Sequence, residues 1–156
     1  MTSTTRIELP DEAATLALGA RLAQELGRVG GGVVYLRGDL GAGKTTLARG
    51  LLRAAGIEGT LRSPTYTLME PYAAAGQAFL HLDLYRLVDP TEVEQLGLRD
   101  YPVETTVWLV EWPERGAGFL PPANLEVRLS IEGSGRVATL ASGPTNAGKW
   151  PIIDLK

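Results

Sequence analysis

Residues 38–45 constrain the fold of this chain more than any other feature of its sequence. They read Gly-Asp-Leu-Gly-Ala-Gly-Lys-Thr and fit the pattern G-x-x-x-x-G-K-[ST]. The run 33–36 before them has the β-branched and aromatic composition of a short buried strand. Residues 43–55 after them favour a helix, with Leu47 and Leu51 one turn apart. A strand, a glycine-rich loop and a helix in this order predict an α/β fold.

The composition of this loop suits a triphosphate. Glycines let the backbone turn several N–H groups inward, and the start of the following helix adds its dipole and unpaired N–H groups. Lys44 is expected to reach the β- and γ-phosphates, and Thr45 to offer its hydroxyl to magnesium. We therefore predict that ATP and Mg²⁺ are the cofactors. The expected nucleotide contacts are Asp39, Leu40, Gly41, Ala42, Gly43, Lys44, Thr45 and Thr46.

Two acidic residues are candidates for the carboxylate that a site of this kind needs beside its metal. Glu111 closes the apolar run 106–110, and ligands in α/β folds bind at the carboxyl ends of strands. Asp83 shares the polar face of a predicted half-buried strand with His81 and Tyr85. Glu111 is predicted to hold magnesium, directly or through water, and Asp83 to orient a metal-bound or attacking water. These roles could be exchanged, and a solvated acid or a structural hydrogen bond are the plainer alternatives.

Thr65 completes the set of candidate catalytic residues, which otherwise contains Lys44, Asp83 and Glu111. It follows Pro64 in a segment that cannot be helix interior. It resembles the mobile threonine that senses the γ-phosphate in other nucleotide-binding loops, although an ordinary threonine at the start of a strand would have the same sequence. The metal ligands are expected to be Thr45 and Glu111.

The sequence also predicts positions for four other polar and aromatic residues near these motifs. His81 is treated as a packed strand residue and is left out of the catalytic set. Arg86 is predicted on the face opposite Asp83, where it serves a partner surface or is simply solvated. Trp108 is expected in the core and Trp112 close to the nucleotide.

The remaining patterns predict a single P-loop NTPase-like domain over residues 1–141, with three layers and a mostly parallel central sheet carrying antiparallel hairpins. A first helix is expected from Asp11 to Gly27 and a short one over 90–96. The tail 142–156 is expected to be mobile or loosely docked, with 150–153 able to form a short strand. The hairpins are predicted over 66–72 with 78–85 and over 124–131 with 136–140.

Composition excludes several other kinds of site. The chain of 156 residues has no cysteine and one histidine, which excludes disulfides, thiolate metal sites and histidine-rich metal sites. Its net charge of −3 gives no electrostatic footprint for holding nucleic acid unaided. It has no signal-peptide pattern and no apolar run of about 18 residues, so we expect a cytoplasmic protein that makes no membrane contact.

Four segments in order resemble one known family. They are 38–46, 63–68 (Ser-Pro-Thr-Tyr-Thr-Leu), 81–87 (His-Leu-Asp-Leu-Tyr-Arg-Leu) and 110–114 (Val-Glu-Trp-Pro-Glu), and together they resemble the TsaE (YjeE) family. The resemblance implies the ATPase component of bacterial synthesis of threonylcarbamoyladenosine at adenosine 37 of tRNA. It implies TsaD and TsaB as partners, with tRNA reached only through their complex. It also implies a magnesium site on Thr45 and Glu111, an essential aspartate at Asp83 and a switch-like segment at 63–65.

Three other functions use the same loop. A small-molecule kinase would need an arginine-bearing lid, and no arginine cluster occurs between residues 87 and 124. A GTPase would need an Asn/Thr-Lys-x-Asp motif, which none of the three lysines supplies. A regulatory module that binds nucleotide with negligible hydrolysis is separated poorly from an ATPase that is slow alone and faster in its complex.

Overall fold

Seven strands and two α-helices form the fold in the computed structural model, which describes residues 4–144. The strands are Thr4–Leu9 (β1), Gly32–Arg37 (β2), Met69–Ala74 (β3), Gln77–Asp83 (β4), Thr106–Glu111 (β5), Leu125–Glu132 (β6) and Gly135–Ser142 (β7). The α-helices are Glu12–Val29 (α1) and Lys44–Ala54 (α2). Three short 3-10 helices span Pro90–Leu96, Leu98–Asp100 and Pro113–Gly116.

The strands form one sheet in the order β1-β7-β6-β2-β5-β4-β3. The four central strands, β6, β2, β5 and β4, run parallel, whereas β1, β7 and β3 pair antiparallel at the two sides. The two predicted hairpins, β3–β4 and β6–β7, are confirmed. Parallel strands bring their carboxyl ends to one edge of the sheet, so the loop after β2 lies beside the last residues of β4 and β5.

Both faces of the sheet are covered, which confirms the three-layer architecture. On one face, apolar side chains of α1 and α2 pack on the sheet, among them Leu22, Leu47 and Leu51. On the other face, a second core forms under the 3-10 segments and includes Val93. The alternation in β4 follows this division, since Leu80 and Leu82 belong to the second core.

Helices α1 and α2 touch through two glycines. A Cβ added at Gly19 would lie 2.4 Å from the carbonyl oxygen of Leu47, and one added at Gly50 would lie 2.5 Å from that of Leu16. No side chain fits between backbones this close, so each glycine is required by the approach of the other helix. This contact holds α2, which follows the glycine-rich loop, against α1.

The ends of several elements differ from their predictions. Helix α1 continues through Gly27 to Val29 and ends at Gly30, which adopts the left-handed conformation with φ 84°. Gly27 is tolerated because it lies on the exposed side, while Leu26 keeps the helix packed on the core. The short helix predicted over 90–96 has the predicted ends and is a 3-10 helix, started by the capping box of Asp89.

Two further differences concern strands. The edge strand β1 was not predicted, because its sequence Thr-Thr-Arg-Ile-Glu-Leu has no apolar run and it is stabilised by antiparallel pairing with β7. Strand β3 begins at Met69 rather than at 66, because the chain turns first and Leu68 adopts a positive φ of 69°. That turn is closed by the amide of Leu68, which donates to the carbonyl oxygen of Pro64.

The end of the chain was predicted to be a tail from residue 142. Strand β7 extends to Ser142. The rest of the tail from 145 onward, including the strand predicted at 150–153, lies outside the described residues, and the domain boundary stays a prediction. None of the helices in residues 4–144 is long and apolar enough to cross a membrane.

Candidate functional site

The glycine-rich loop joins β2 to α2 in a conformation that only glycine allows at its first position. Gly38 has a φ of 146°, and a Cβ there would lie 2.4 Å from the carbonyl oxygen of Leu129. Gly43 precedes α2 in the left-handed region, and no side chain caps the start of this helix. Arg136 on β7 supports the loop by donating from Nε and Nη2 to the carbonyl oxygen of Gly41, at 3.2 and 3.0 Å. The N–H groups at the start of α2 therefore have no capping side chain, as an anion site requires.

Lys44 is the first residue of α2 and is almost fully buried. Its Nζ donates to the carbonyl oxygens of Gly38 and Asp39, at 2.5 and 2.8 Å, and lies 4.3 Å from the ring centroid of Trp112. Loss of hydration on burial is the largest influence on the pKa of Lys44 and lowers it from its ordinary value. Four carboxylates oppose this shift: Glu111, Asp83, Glu114 and Asp39.

Thr45 meets Glu111 at the edge where β2 and β5 end. The Thr45 hydroxyl donates to Oε1 of Glu111 at 2.9 Å. The other carboxylate oxygen, Oε2, lies 3.0 Å from Oγ of Ser63 and 2.7 Å from Nε2 of His81. Glu111 is only 2% exposed. The alternative of a solvated acid at the strand end is therefore wrong for Glu111.

Asp83 pairs in register with Glu111 across β4 and β5. Its Oδ2 accepts from the hydroxyl of Thr65 at 3.2 Å and also contacts the hydroxyl of Ser63. Its Oδ1 accepts from the backbone N–H of Tyr85 at 3.0 Å. Asp83 is 4% exposed and β4 is buried from Phe79 onward, so the prediction of a half-buried strand is wrong, whereas the predicted polar face with His81 and Asp83 is present. The polar face lies under α2 and the segment 63–65, because the strand is central in the sheet.

The donor set of this edge fits Mg²⁺, which prefers oxygen ligands and keeps several waters. Thr45 supplies a hydroxyl oxygen and Glu111 a carboxylate, and the two are hydrogen-bonded to each other. Within residues 4–144, no group of three or more His, Cys, Asp or Glu side chains forms a cage for a metal ion. A metal here would have to take its other ligands from water and from a bound phosphate.

A cleft of about 350 Å³ opens between the loop and the ends of β4 and β5. Arg86 lines this cleft together with Asp83, which corrects the prediction that the two residues face opposite ways. The reason is that the chain turns at Tyr85, so strand alternation stops before Arg86. The Arg86 guanidinium lies 4.3 Å from the ring centroid of Tyr66.

The two tryptophans lie in different surroundings, and Trp108 is in the core as predicted. Trp108 is buried in the second core and donates from Nε1 to the carbonyl oxygen of Tyr101 at 3.1 Å. Trp112 lines the cleft, with its ring centroid 5.0 Å from that of Tyr85. Its backbone adopts a φ of 57°, which is uncommon for a bulky residue and places the ring over Lys44.

Most of the predicted site residues come together in the cleft. It is lined by Leu40, Gly41, Gly43, Lys44, Thr45, Thr46, Thr65, Asp83 and Glu111 among others. Asp39 and Ala42 line a separate depression behind the loop, beside Arg128. Prediction from sequence left out Ser63 and His81, although both lie in the motifs that carry the site. The available signals were the position of Ser63 two residues before Thr65 and that of His81 two residues before Asp83.

A second cavity of about 200 Å³ adjoins the same loop from the side of α1. It shares Gly41, Gly43 and Thr46 with the cleft, and no sequence pattern predicted it. Its other walls come from the start of α1 and the turn between β6 and β7: Leu9, Asp11, Glu12, Thr15, Ser134, Gly135 and Arg136.

Comparison with known proteins gives a consistent result. Residues 9–138 match the family model for Threonylcarbamoyl adenosine biosynthesis protein TsaE. The tRNA threonylcarbamoyladenosine biosynthesis protein TsaE of Haemophilus influenzae is 45% identical over 144 residues, which is 90% of each chain. Its namesake from Mycobacterium tuberculosis is 40% identical over 146 residues, covering 86% of this chain and 85% of the other.

A solved structure agrees with these sequence matches. The crystal structure of YdiB from Bacillus subtilis superposes with a TM-score of 0.75 at 26% identity and covers 91% of this chain and 87% of its own. The family model spans the glycine-rich loop and both strand-end carboxylates. The chain therefore belongs to the TsaE family.

Proposed function

We propose that this protein is the component that binds and hydrolyses ATP in the machinery for threonylcarbamoyladenosine at adenosine 37 of tRNA. The observation that carries the proposal is the hydrogen bond between Thr45 and Glu111 at the start of α2. In ATPases with this loop, a hydroxyl and a strand-end carboxylate act together on the magnesium ion. The names of the relatives supply the pathway.

The residues of the cleft have separate roles in the proposed hydrolysis. The loop N–H groups hold the phosphates, and Lys44 neutralises their charge after exchanging the carbonyl oxygens of Gly38 and Asp39 for phosphate oxygens. Thr45 and Glu111 would hold magnesium, which would neutralise charge on the bound phosphates. Asp83 and Thr65, which are hydrogen-bonded to each other in this structure, would orient water beside the γ-phosphate after that hydrogen bond has opened.

The second cavity suits the nucleoside half of ATP. It meets the cleft at Gly41, Gly43 and Thr46, so a nucleotide whose phosphates lie on the loop can extend into it without leaving the protein surface. Asp11 and Ser134 offer polar atoms there, and Leu9 offers an apolar wall. We infer that adenine and ribose occupy this side of the loop.

Partners complete the proposed function. TsaD and TsaB are the expected protein partners, and tRNA is reached only through their complex, as the acidic net charge of −3 favours. A cytoplasmic location belongs to the same proposal.

A second candidate, a nucleotide switch with negligible hydrolysis, is favoured by one observation. Asp83 already accepts from Thr65 and from the backbone of Tyr85 and contacts the hydroxyl of Ser63, so most of its about four acceptor sites are occupied and little capacity is free to activate water. For hydrolysis, the segment 63–65 would have to leave Asp83, and binding of the partners is the event that we expect to release it.

The experiment measures ATP affinity and ATP turnover with and without TsaD and TsaB. Turnover of the isolated chain should be slow and should rise in the complex. Lys44→Ala should weaken ATP binding at least tenfold, because it removes a charged donor from the phosphate site. Glu111→Ala and Asp83→Asn should lower turnover in the complex by about 10²-fold.

The matched control is Glu94→Ala, which removes an exposed carboxylate on the other side of the sheet and should change neither quantity. Unchanged ATP affinity in Lys44→Ala would refute the site. Equal and negligible turnover with and without partners, with ATP still bound tightly, would favour the switch.

A further inference from the structure

His81 occupies an unusual position for a polar side chain. It lies in the centre of β4, is 2% exposed and faces the α-helices with Phe79 and Asp83. The register pairs His81 with Leu109 and Asp83 with Glu111, so Glu111 is the diagonal neighbour of His81 across the two parallel strands. Its Nε2 lies 2.7 Å from Oε2 of Glu111. Because a carboxylate only accepts hydrogen bonds, Nε2 carries the proton and donates it.

The other ring nitrogen does not attach His81 to the fold. Nδ1 is buried and has no hydrogen-bond partner among residues 4–144. The carboxylate of Glu111 is therefore the polar contact of this ring within the part of the chain that the structure describes. A buried nitrogen without a partner costs stability that an apolar side chain of similar size would not cost. Packing alone does not account for a histidine here, whereas its effect on Glu111 does.

The donors around Glu111 are not equivalent. Ser63 has one hydroxyl proton and two carboxylates in reach, since its Oγ also contacts Asp83. It therefore cannot be a constant donor to Glu111. The N–H of His81 has Glu111 as its acceptor and sits on a rigid ring in a central strand. With Oε2 fixed by His81, the other oxygen, Oε1, points to the hydroxyl of Thr45.

We propose that His81 is a positioning residue of the magnesium site, which fixes the carboxylate of Glu111 in the orientation that serves Thr45 and the metal. The proposal rests on the function proposed above, because it assigns a role at the same site. Outer hydrogen bonds of this kind set the orientation of metal-binding carboxylates, and their loss typically costs 10–100-fold in metal affinity.

Two variants of His81 separate positioning from packing. In His81→Gln the amide nitrogen falls close to the place of Nε2 and still reaches Glu111. In His81→Asn the amide nitrogen falls near the place of Nδ1, and the side chain is about one bond too short to reach Glu111. Both variants keep a polar side chain of similar bulk, so they differ mainly in the hydrogen bond to Glu111.

The measurement uses the full chain and ADP as the probe. The ADP affinity is first measured in EDTA, and the apparent Mg²⁺ affinity is then measured at saturating ADP, both by calorimetry. His81→Asn should weaken the apparent Mg²⁺ affinity by about 10–100-fold and change the ADP affinity in EDTA by less than about threefold. His81→Gln should keep the Mg²⁺ affinity within about threefold of the unchanged protein.

Phe79→Leu is the control, because Phe79 lies two residues away on the same strand and face and is 4% exposed. It should lower the thermal stability and leave the Mg²⁺ affinity unchanged. Unchanged Mg²⁺ affinity in His81→Asn, or equal losses in His81→Asn and Phe79→Leu, would overturn the proposal.

If His81→Asn does not fold, His81→Gln decides alone, since a loss above tenfold in this variant overturns the proposal and retention supports it. Failure of the proposed function would give a different result. There the unchanged protein itself would bind no ADP, or would bind it equally well with and without Mg²⁺.

Discussion

Replacing Gly50 by alanine tests how closely α1 holds α2, the helix that carries the glycine-rich loop. In an exposed helix this change would stabilise the protein by about 1 kcal/mol, because alanine has the better helix propensity. At Gly50 the new Cβ would lie 2.5 Å from the carbonyl oxygen of Leu16, 2.9 Å from its Cα and 3.1 Å from its carbonyl carbon. These are backbone atoms, so they can move away only if the helices separate.

The magnitude follows from these two opposing terms. Overpacking a close contact costs about 1–3 kcal/mol, and contact with rigid backbone on α1 places Gly50→Ala near the upper end of that range. After the gain of about 1 kcal/mol from helix propensity, we expect a net loss of about 2 kcal/mol. For a domain of this size, that loss lowers the melting temperature by roughly 4–8 °C.

Gly27→Ala is the matched control, because Gly27 lies in the neighbouring helix α1 and a Cβ there would have no atom within 4 Å. It should raise the melting temperature by about 1–4 °C, since only the helix propensity changes. The assay is thermal unfolding followed by circular dichroism, without nucleotide. A Gly50→Ala protein as stable as the unchanged protein would refute the close helix contact, and destabilisation by Gly27→Ala would refute the helix through that position.

Two other predictions concern the loop itself. Gly38→Ala should abolish ADP binding, measured by calorimetry, because its Cβ would lie 2.4 Å from the carbonyl oxygen of Leu129. Gly41→Ala should fold and bind ADP more weakly, since the space around Gly41 is open but its φ of 79° strains any residue with a side chain. Binding of ADP should change the tryptophan fluorescence as Lys44 leaves the Trp112 ring, and a Trp112→Phe protein with the full change would contradict this contact.

The sequence was most informative where a pattern lies within one continuous segment of the chain. The strand before residue 38, the loop and the helix after it were predicted within two residues of their observed ends, because periodicity and glycine spacing belong to one continuous segment. The same holds for Glu111, which closes β5 as predicted, whereas Asp83 was predicted inside a strand over 78–85 and is the last residue of β4. The prediction for Arg86 failed because strand alternation ends with β4 at Asp83 and Arg86 lies in the turn that follows.

The amino-acid sequence alone pointed to the candidate site residues, since the glycine-rich loop and the acids Asp83 and Glu111 are visible as patterns along the chain. The tertiary structure decided which of them touch. That His81 donates to Glu111, that β1 pairs with β7, and that Gly50 meets the backbone of Leu16 depend on strand register and helix approach between segments far apart in the chain. Packing of the whole domain sets these distances, and no single segment contains them.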